Sequence, residues 1–138
     1  MKPAIFLLSL GVFSKVCADD QFMKDLKNLR NRTISQMNGI MNELFSRIHF
    51  VIQDARRQGI GDDINDCYKE YDAMLQYHQG IFMNCVQCYT KATQNKDIQT
   101  AEKCFNFNVA ALQTQANLRR FSTNRCITKY LSFLGQKD

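Results

Sequence analysis

The sequence has few of the residues that interrupt helices or build strands. Its 138 residues contain one proline, Pro3, and six glycines, and they contain no tryptophan. No segment shows the alternation of Val, Ile or Thr with polar residues that is typical of a half-buried strand. These absences exclude a domain built on a β-sheet and predict an all-α fold.

Sequence motifs for catalysis are also missing. The chain has no HExxH, no GxSxG elbow and no calcium-loop spacing, and its two histidines, His49 and His78, are isolated. Cys85 and Cys88 form a CxxC, but it lies within a helical pattern and not at the strand-to-helix junction that acidifies a redox thiol. We therefore expect no enzyme, no cofactor and no metal site.

The apolar run at the start of the chain predicts secretion. Lys2 precedes apolar residues 4–13, and small residues end this segment at Ala18, which is the pattern of a cleaved signal peptide. The run is shorter than the ~20 residues that span a bilayer. We predict a signal peptide over 1–18 and one secreted, extracellular domain over 19–138. No second apolar segment of spanning length follows, so no membrane span is expected. Loss of Lys2 and Lys15 lowers the formal charge from +5 to +3, so no nucleic acid partner is expected.

Apolar residues spaced by three and four predict three long helices. The first helix ends at Gly59, Asp62 or Asp63 caps the second, and Asp97 caps the third. Residues 93–97 form the polar connection between the second and third helices. The third is either continuous or broken into two near 122–124. The predicted fold is an antiparallel bundle of three long helices, stapled by disulfides.

The cysteine positions suggest how the bundle is stapled. Cys67 and Cys126 lie almost equally far from residue 96, and so do Cys88 and Cys104. In an antiparallel hairpin that turns near residue 96, such residues meet side by side. Cys85 competes for Cys104, because it lies five whole turns from Cys67 and shares its face. Axial position favours the pairs Cys67–Cys126 and Cys88–Cys104, which leaves Cys85 unpaired or free to join two chains in a dimer.

Two further features concern the surface and the interior. Asn31 begins the N-glycosylation sequon Asn31-Arg32-Thr33. The chain is rich in Met and Phe, which fill cores and also line pockets for flexible apolar ligands. The candidates for lining such a cavity between helices are Met41, Phe45, Met74 and Phe82.

The segment Cys67-Tyr68-Lys69-Glu70-Tyr71-Asp72-Ala73-Met74-Leu75 resembles the TsetseEP-type family of secreted helical insect proteins with spaced cysteines. Cys85, Cys104 and Cys126 would occupy the later cysteine positions, and Cys88 is additional to the pattern. The resemblance covers about half of the chain. It implies a secreted arthropod protein of gut, haemolymph, saliva or reproductive fluid, with no catalytic residues.

Two functions are compatible with these features. The first is a non-enzymatic interaction factor that binds another extracellular protein or receptor through the faces of its helices. The second is a carrier of a small apolar ligand, such as a lipid, in the Met- and Phe-lined cavity. A filled core favours the first function, and a cavity of ~300 Å³ or more favours the second.

Overall fold

The first helix, α1, spans Pro3–Arg57 in the computed structural model, which describes residues 3–136 and the side chains of residues 17–136. Its buried positions recur every three or four residues and form one stripe, because this spacing returns to the same side of an α-helix. The stripe consists of Leu26, Leu29, Thr33, Met37, Met41, Leu44, Ile48, Ile52 and Ala55. The chain remains helical through Asn38 and Gly39, although a glycine inside a helix costs about 1 kcal/mol relative to alanine.

The end of α1 requires a glycine. Gly59 has a φ of +95°, a left-handed conformation that is costly for residues with a Cβ. The amide of Gly59 donates to the Arg56 carbonyl at 3.0 Å, and the amide of Ile60 donates to the Ala55 carbonyl at 3.3 Å. These two bonds form a Schellman motif, which satisfies carbonyl groups in the last turn. The predicted end of the first helix is therefore confirmed.

The second helix begins differently from the prediction. A 3₁₀ helix, η1, spans Asp62–Tyr68 and precedes α2, which spans Lys69–Asn95. Gly61 occupies the N-cap of η1, and no side chain caps this end. The prediction that Asp62 or Asp63 is the cap is wrong, because both residues already lie inside the first turn, where their charge suits the helix dipole.

The turn between α2 and the third helix, α3, lies at the predicted position. Lys96 adopts the left-handed conformation, and Asp97 caps α3, which spans Ile98–Leu134. The Asp97 carboxylate accepts hydrogen bonds from the amide and the hydroxyl of Thr100, at 3.1 and 2.6 Å. Hydrogen bonds from the side chain and backbone of Thr100 lower the pKa of Asp97.

The third helix is a single unbroken element. The candidate break at 122–124 stays helical, because Thr123 is fully buried and its hydroxyl donates to the Arg119 carbonyl at 2.9 Å. This bond satisfies the threonine hydroxyl inside the helix. Thr123 therefore contributes to the core.

The three helices pack as a bundle in which α3 contacts both others extensively, whereas α1 and α2 contact each other less. The fully buried Phe105 and Leu112 place the inner face of α3 in the core. All described residues from 3 to 136 that form regular structure are helical. Within this part of the chain, no helix has an apolar stretch long enough to cross a membrane.

Two disulfides join η1 and α2 to α3. Cys67 bonds Cys126, and Cys88 bonds Cys104, with a Cα–Cα distance of 5.8 Å in each pair. These are the two pairs that the axial positions of the cysteines favour. One bridge lies beside the α2–α3 turn, and the other lies at the end of η1, just before α2 begins, so the hairpin is held at both ends.

Candidate interaction surface

A groove opens between α1 and α2 on the side of the bundle that faces away from α3. It exists because α1 and α2 each pack against α3 and leave part of their mutual face uncovered. Phe105 of α3 and Cys85 of α2, both buried, lie at its floor. Its enclosed part has a volume of about 100 Å³.

Apolar side chains line the rims of this groove. Ile34 of α1 faces Phe82 and Val86 of α2 across the floor. Phe82 and Leu75 are seven positions apart, about two turns, so Leu75 continues the same edge of α2. We call this surface the α1/α2 groove and define it by Ile34, Phe45, Leu75, Phe82 and Val86.

An aromatic cluster extends the α1/α2 groove toward η1. The ring of Phe45 lies 5.0 Å from that of Tyr71, one turn before Leu75, and 5.7 Å from that of His49. His49 in turn hydrogen-bonds the Tyr68 hydroxyl at 2.7 Å. This contact gives His49 a structural role that its isolated position in the sequence does not reveal.

The apolar side chains of this groove are partly exposed and follow one another along its edges. Phe45, Leu75, Phe82 and Val86 are each between 40% and 42% exposed. Scattered apolar residues are normal on protein surfaces, but a continuous apolar line beside a groove marks an interaction site. The α1/α2 groove therefore has the form of a site that accepts an apolar helix face.

Arg30 provides a cation at the far end of the groove. Its guanidinium carbon lies 5.0 Å from the centre of the Tyr89 ring, a distance typical of a cation–π contact. Its Nε is buried and has no hydrogen-bond partner among the described residues. Because this Nε is inaccessible, an acidic group bound in the groove would be attracted by the charge of the guanidinium and would not contact the Nε itself.

Cys85 is a buried free thiol beneath the groove. Its Sγ lies 3.8 Å from the Met37 Sδ. Burial raises the pKa of this thiol, so less of the reactive thiolate is present at neutral pH. A disulfide between two copies through Cys85 would require the thiol to leave this packing.

The four residues predicted to line a ligand cavity do not surround a common space. Met41 and Met74 are buried in the core, whereas Phe45 and Phe82 lie at the rim of the α1/α2 groove. Of these four residues, Phe82 alone lines the part of the α1/α2 groove that has a volume of about 100 Å³. That volume is below the ~300 Å³ of typical small-molecule sites.

A second, wider groove lies between α1 and α3. It has a volume of about 490 Å³ and is lined by Ile48, Phe50 and Val51 together with Arg47 and Arg120. Arg47 pairs with Glu43 at 2.8 Å, and both side chains are exposed. This groove is open, and charged side chains are mixed with the apolar ones in its lining. Sequence reasoning missed it because its walls lie far apart along the chain.

The remaining predicted positions lie at the surface or in the second helix. Asn31 is exposed on α1, whereas Thr33 of the same sequon is buried and its hydroxyl donates to the Leu29 carbonyl at 2.8 Å. Partial burial lowers the pKa of His78, which favours its neutral form. Among the described residues, no group of three or more His, Cys, Asp or Glu side chains is arranged to hold a metal ion.

The fold and its grooves define a disulfide-stapled three-helix bundle with an uncovered apolar face. No protein-family model matches this chain, and neither a curated protein nor a solved structure does. The resemblance of residues 67–75 to the TsetseEP-type family thus stays a prediction, and function must be argued from the surface itself.

Proposed function

We propose that this protein is a secreted, non-enzymatic interaction factor of an extracellular fluid. In this proposal the α1/α2 groove binds an amphipathic helix of another extracellular protein. The observation that carries it is the line of partly exposed apolar side chains along the groove, on a scaffold held by two disulfides. Such a scaffold limits the conformational entropy lost on binding, which favours affinity.

The partner segment follows from the groove. Two packed helices that leave an apolar groove accept a third helix, with apolar residues at intervals of three and four. The rims carry Phe82 and Val86, so aliphatic or aromatic anchors on the partner would complete the packing. Near Arg30, an acidic group of the partner would be attracted by the charge of the guanidinium.

Photo-crosslinking tests this proposal directly. A photoreactive phenylalanine replaces Phe82 in the α1/α2 groove. In a control protein it replaces Phe50, which is 63% exposed and lines the groove between α1 and α3 instead. The proteins are irradiated in the extracellular fluid of the source organism. We expect one crosslinked protein of defined mass from position 82 and none from position 50.

Affinity measurements with the captured partner complete the test. Replacing both Leu75 and Phe82 with glutamine should weaken binding at least 30-fold, because both side chains would be buried at the interface. A Phe50→Gln protein serves as the control and should bind like the wild type. Equal crosslinking from positions 82 and 50 would refute the proposal. So would a lipid that copurifies with the wild-type protein and is lost when Leu75 and Phe82 are replaced. The lipid result would instead support the carrier.

A further inference from the structure

The third helix, α3, carries more positive than negative charge. Glu102 is the sole acidic residue between Ile98 and Leu134. The same helix contains five cations, which are Lys103, Arg119, Arg120, Arg125 and Lys129. Arg119 is paired with Glu70 at 3.1 Å. Within residues 17–136, the other four cations make no ion pair. The charge of Lys103 helps to lower the pKa of the nearby Asp97, and the charge of Arg120, Arg125 and Lys129 is free to attract an anionic surface.

Large apolar side chains share a face with three of these cations. Phe107 and Arg125 are 18 positions apart, which is five turns at about 3.6 residues per turn, and Lys103 and Phe121 have the same spacing. Leu118 lies 11 positions, about three turns, after Phe107. We call this surface the outer face of α3 and define it by Lys103, Phe107, Leu118, Phe121, Arg125 and Lys129.

This face points away from the bundle. Ala116 is buried and lies nine positions, about two and a half turns, from Phe107, which places Phe107 opposite the core. Accordingly, Phe107 is 76% exposed, Phe121 is 63% exposed and Leu118 is 53% exposed. The outer face of α3 thus combines exposed apolar side chains with unpaired cations along ~40 Å of straight helix.

We infer that the outer face of α3 binds the surface of an anionic phospholipid membrane. Phe and Leu side chains enter the boundary between headgroups and acyl chains, and Lys and Arg side chains contact the phosphates. A sulfated polysaccharide would use the cations and leave Phe107 and Phe121 in water. A protein partner would need its own carboxylates beside each cation. An anionic bilayer satisfies both features of this face at once.

The geometry also sets the orientation of the bound molecule. The α1/α2 groove faces away from α3, whereas the outer face of α3 points away from both other helices. A molecule lying on a membrane through α3 therefore presents the groove to the fluid. Membrane binding and partner binding use separate surfaces, so either can fail without the other.

Vesicle co-sedimentation tests this inference. The probes are vesicles of phosphatidylcholine alone and of phosphatidylcholine with 30% phosphatidylserine, at near-physiological salt. We expect binding to the anionic vesicles at least 20-fold tighter than to the neutral ones. Each basic residue near such a surface contributes roughly fivefold to partitioning. Replacing Lys103, Arg125 and Lys129 with glutamine should therefore remove nearly all binding to anionic vesicles.

Matched controls separate the apolar contribution from the charge. The Phe107→Gln/Phe121→Gln protein should lose at least 10-fold in binding, whereas Phe50→Gln, whose side chain is as exposed as Phe121, should change it less than twofold. Circular dichroism and the masses of the two disulfide-linked peptides verify that each variant is folded. Equal binding to both vesicles overturns the inference. Undiminished vesicle binding by the Phe107→Gln/Phe121→Gln protein also overturns the inference. Binding to heparin without binding to the anionic vesicles overturns it as well, and either result indicates a purely electrostatic surface.

Discussion

The two disulfides should contribute unequally to stability, and the structure gives the difference. Cys67–Cys126 spans 59 positions and Cys88–Cys104 spans 16. Closing these loops removes entropy from the unfolded chain worth about 4 and about 3 kcal/mol, respectively. Because the short loop is nested in the long one, the two bridges together contribute about 0.3 kcal/mol less than the sum of these values, and the loss on removing either one is smaller by that amount.

Packing does not obscure this comparison. Each bridge joins one buried cysteine, Cys67 or Cys88, to a half-buried one, so changing both members to alanine removes a similar amount of packing. The order of the two losses is therefore set by loop length. We expect the Cys67→Ala/Cys126→Ala protein to lose more stability than the Cys88→Ala/Cys104→Ala protein, by about 1 kcal/mol, because the nesting correction is the same for both losses.

Urea unfolding followed by helical circular dichroism measures these losses under non-reducing conditions. A Cys85→Ala background prevents thiol–disulfide exchange during the experiment. Peptide mapping without reduction first verifies the pairs in the starting protein. Equal losses, or a larger loss for the short loop, would refute the entropic argument. A peptide joining Cys85 to Cys104 would refute the pairing itself.

Three further outcomes follow from single residues. Phe105→Ala should lower the free energy of unfolding by about 3–5 kcal/mol, because Phe105 is fully buried beneath the groove; a loss below ~1 kcal/mol in urea unfolding would contradict this packing. Asp97→Ala should lower the melting temperature at pH 7 by about 3–5 °C, since it removes the cap of α3. The folded-state pKa of Asp97 is lowered, so its contribution is present above its unfolded pKa near 3.9 and is lost as the pH falls through the folded pKa; thermal melts in which the difference grows on acidification would contradict this assignment. Cys85 should react with a thiol reagent at pH 8 at least 100-fold more slowly in the folded protein than in urea, because the thiol is buried and its pKa is raised; equal rates would show that the thiol is exposed.

Much of the fold could be predicted because its signals are local. The steps of three and four in α1 define a helix whatever it packs against, and Gly59 and Asp97 mark its end and the start of α3 through backbone geometry. The start of the second helix could not be predicted as well. Acidic residues suit both an N-cap and a first turn, so Asp62 and Asp63 could not reveal the 3₁₀ helix.

The grooves were harder to predict because an apolar stripe does not state which of its edges is covered. Phe82 and Met74 both belong to the apolar pattern of α2, yet Met74 is fully buried and Phe82 is about 40% exposed. The difference depends on where α1 crosses α2 and how much of α2 it covers. Similarly, Phe105 and Phe107 are two positions apart on α3, and the helix rotation alone sends one to the core and the other to the surface.

The sequence by itself determined the all-helical class, the position of the turn at Lys96 and the pairing that its cysteine spacing favours, because helical period and rise convert sequence separation directly into direction and length. The tertiary structure alone decided that α3 packs against both α1 and α2, that Cys85 is buried, and that an apolar groove stays open. Those outcomes depend on which faces of the three helices pack against one another. Two stripes can be buried against α3 while their outer edges remain exposed, and a single stripe does not specify which edges these are.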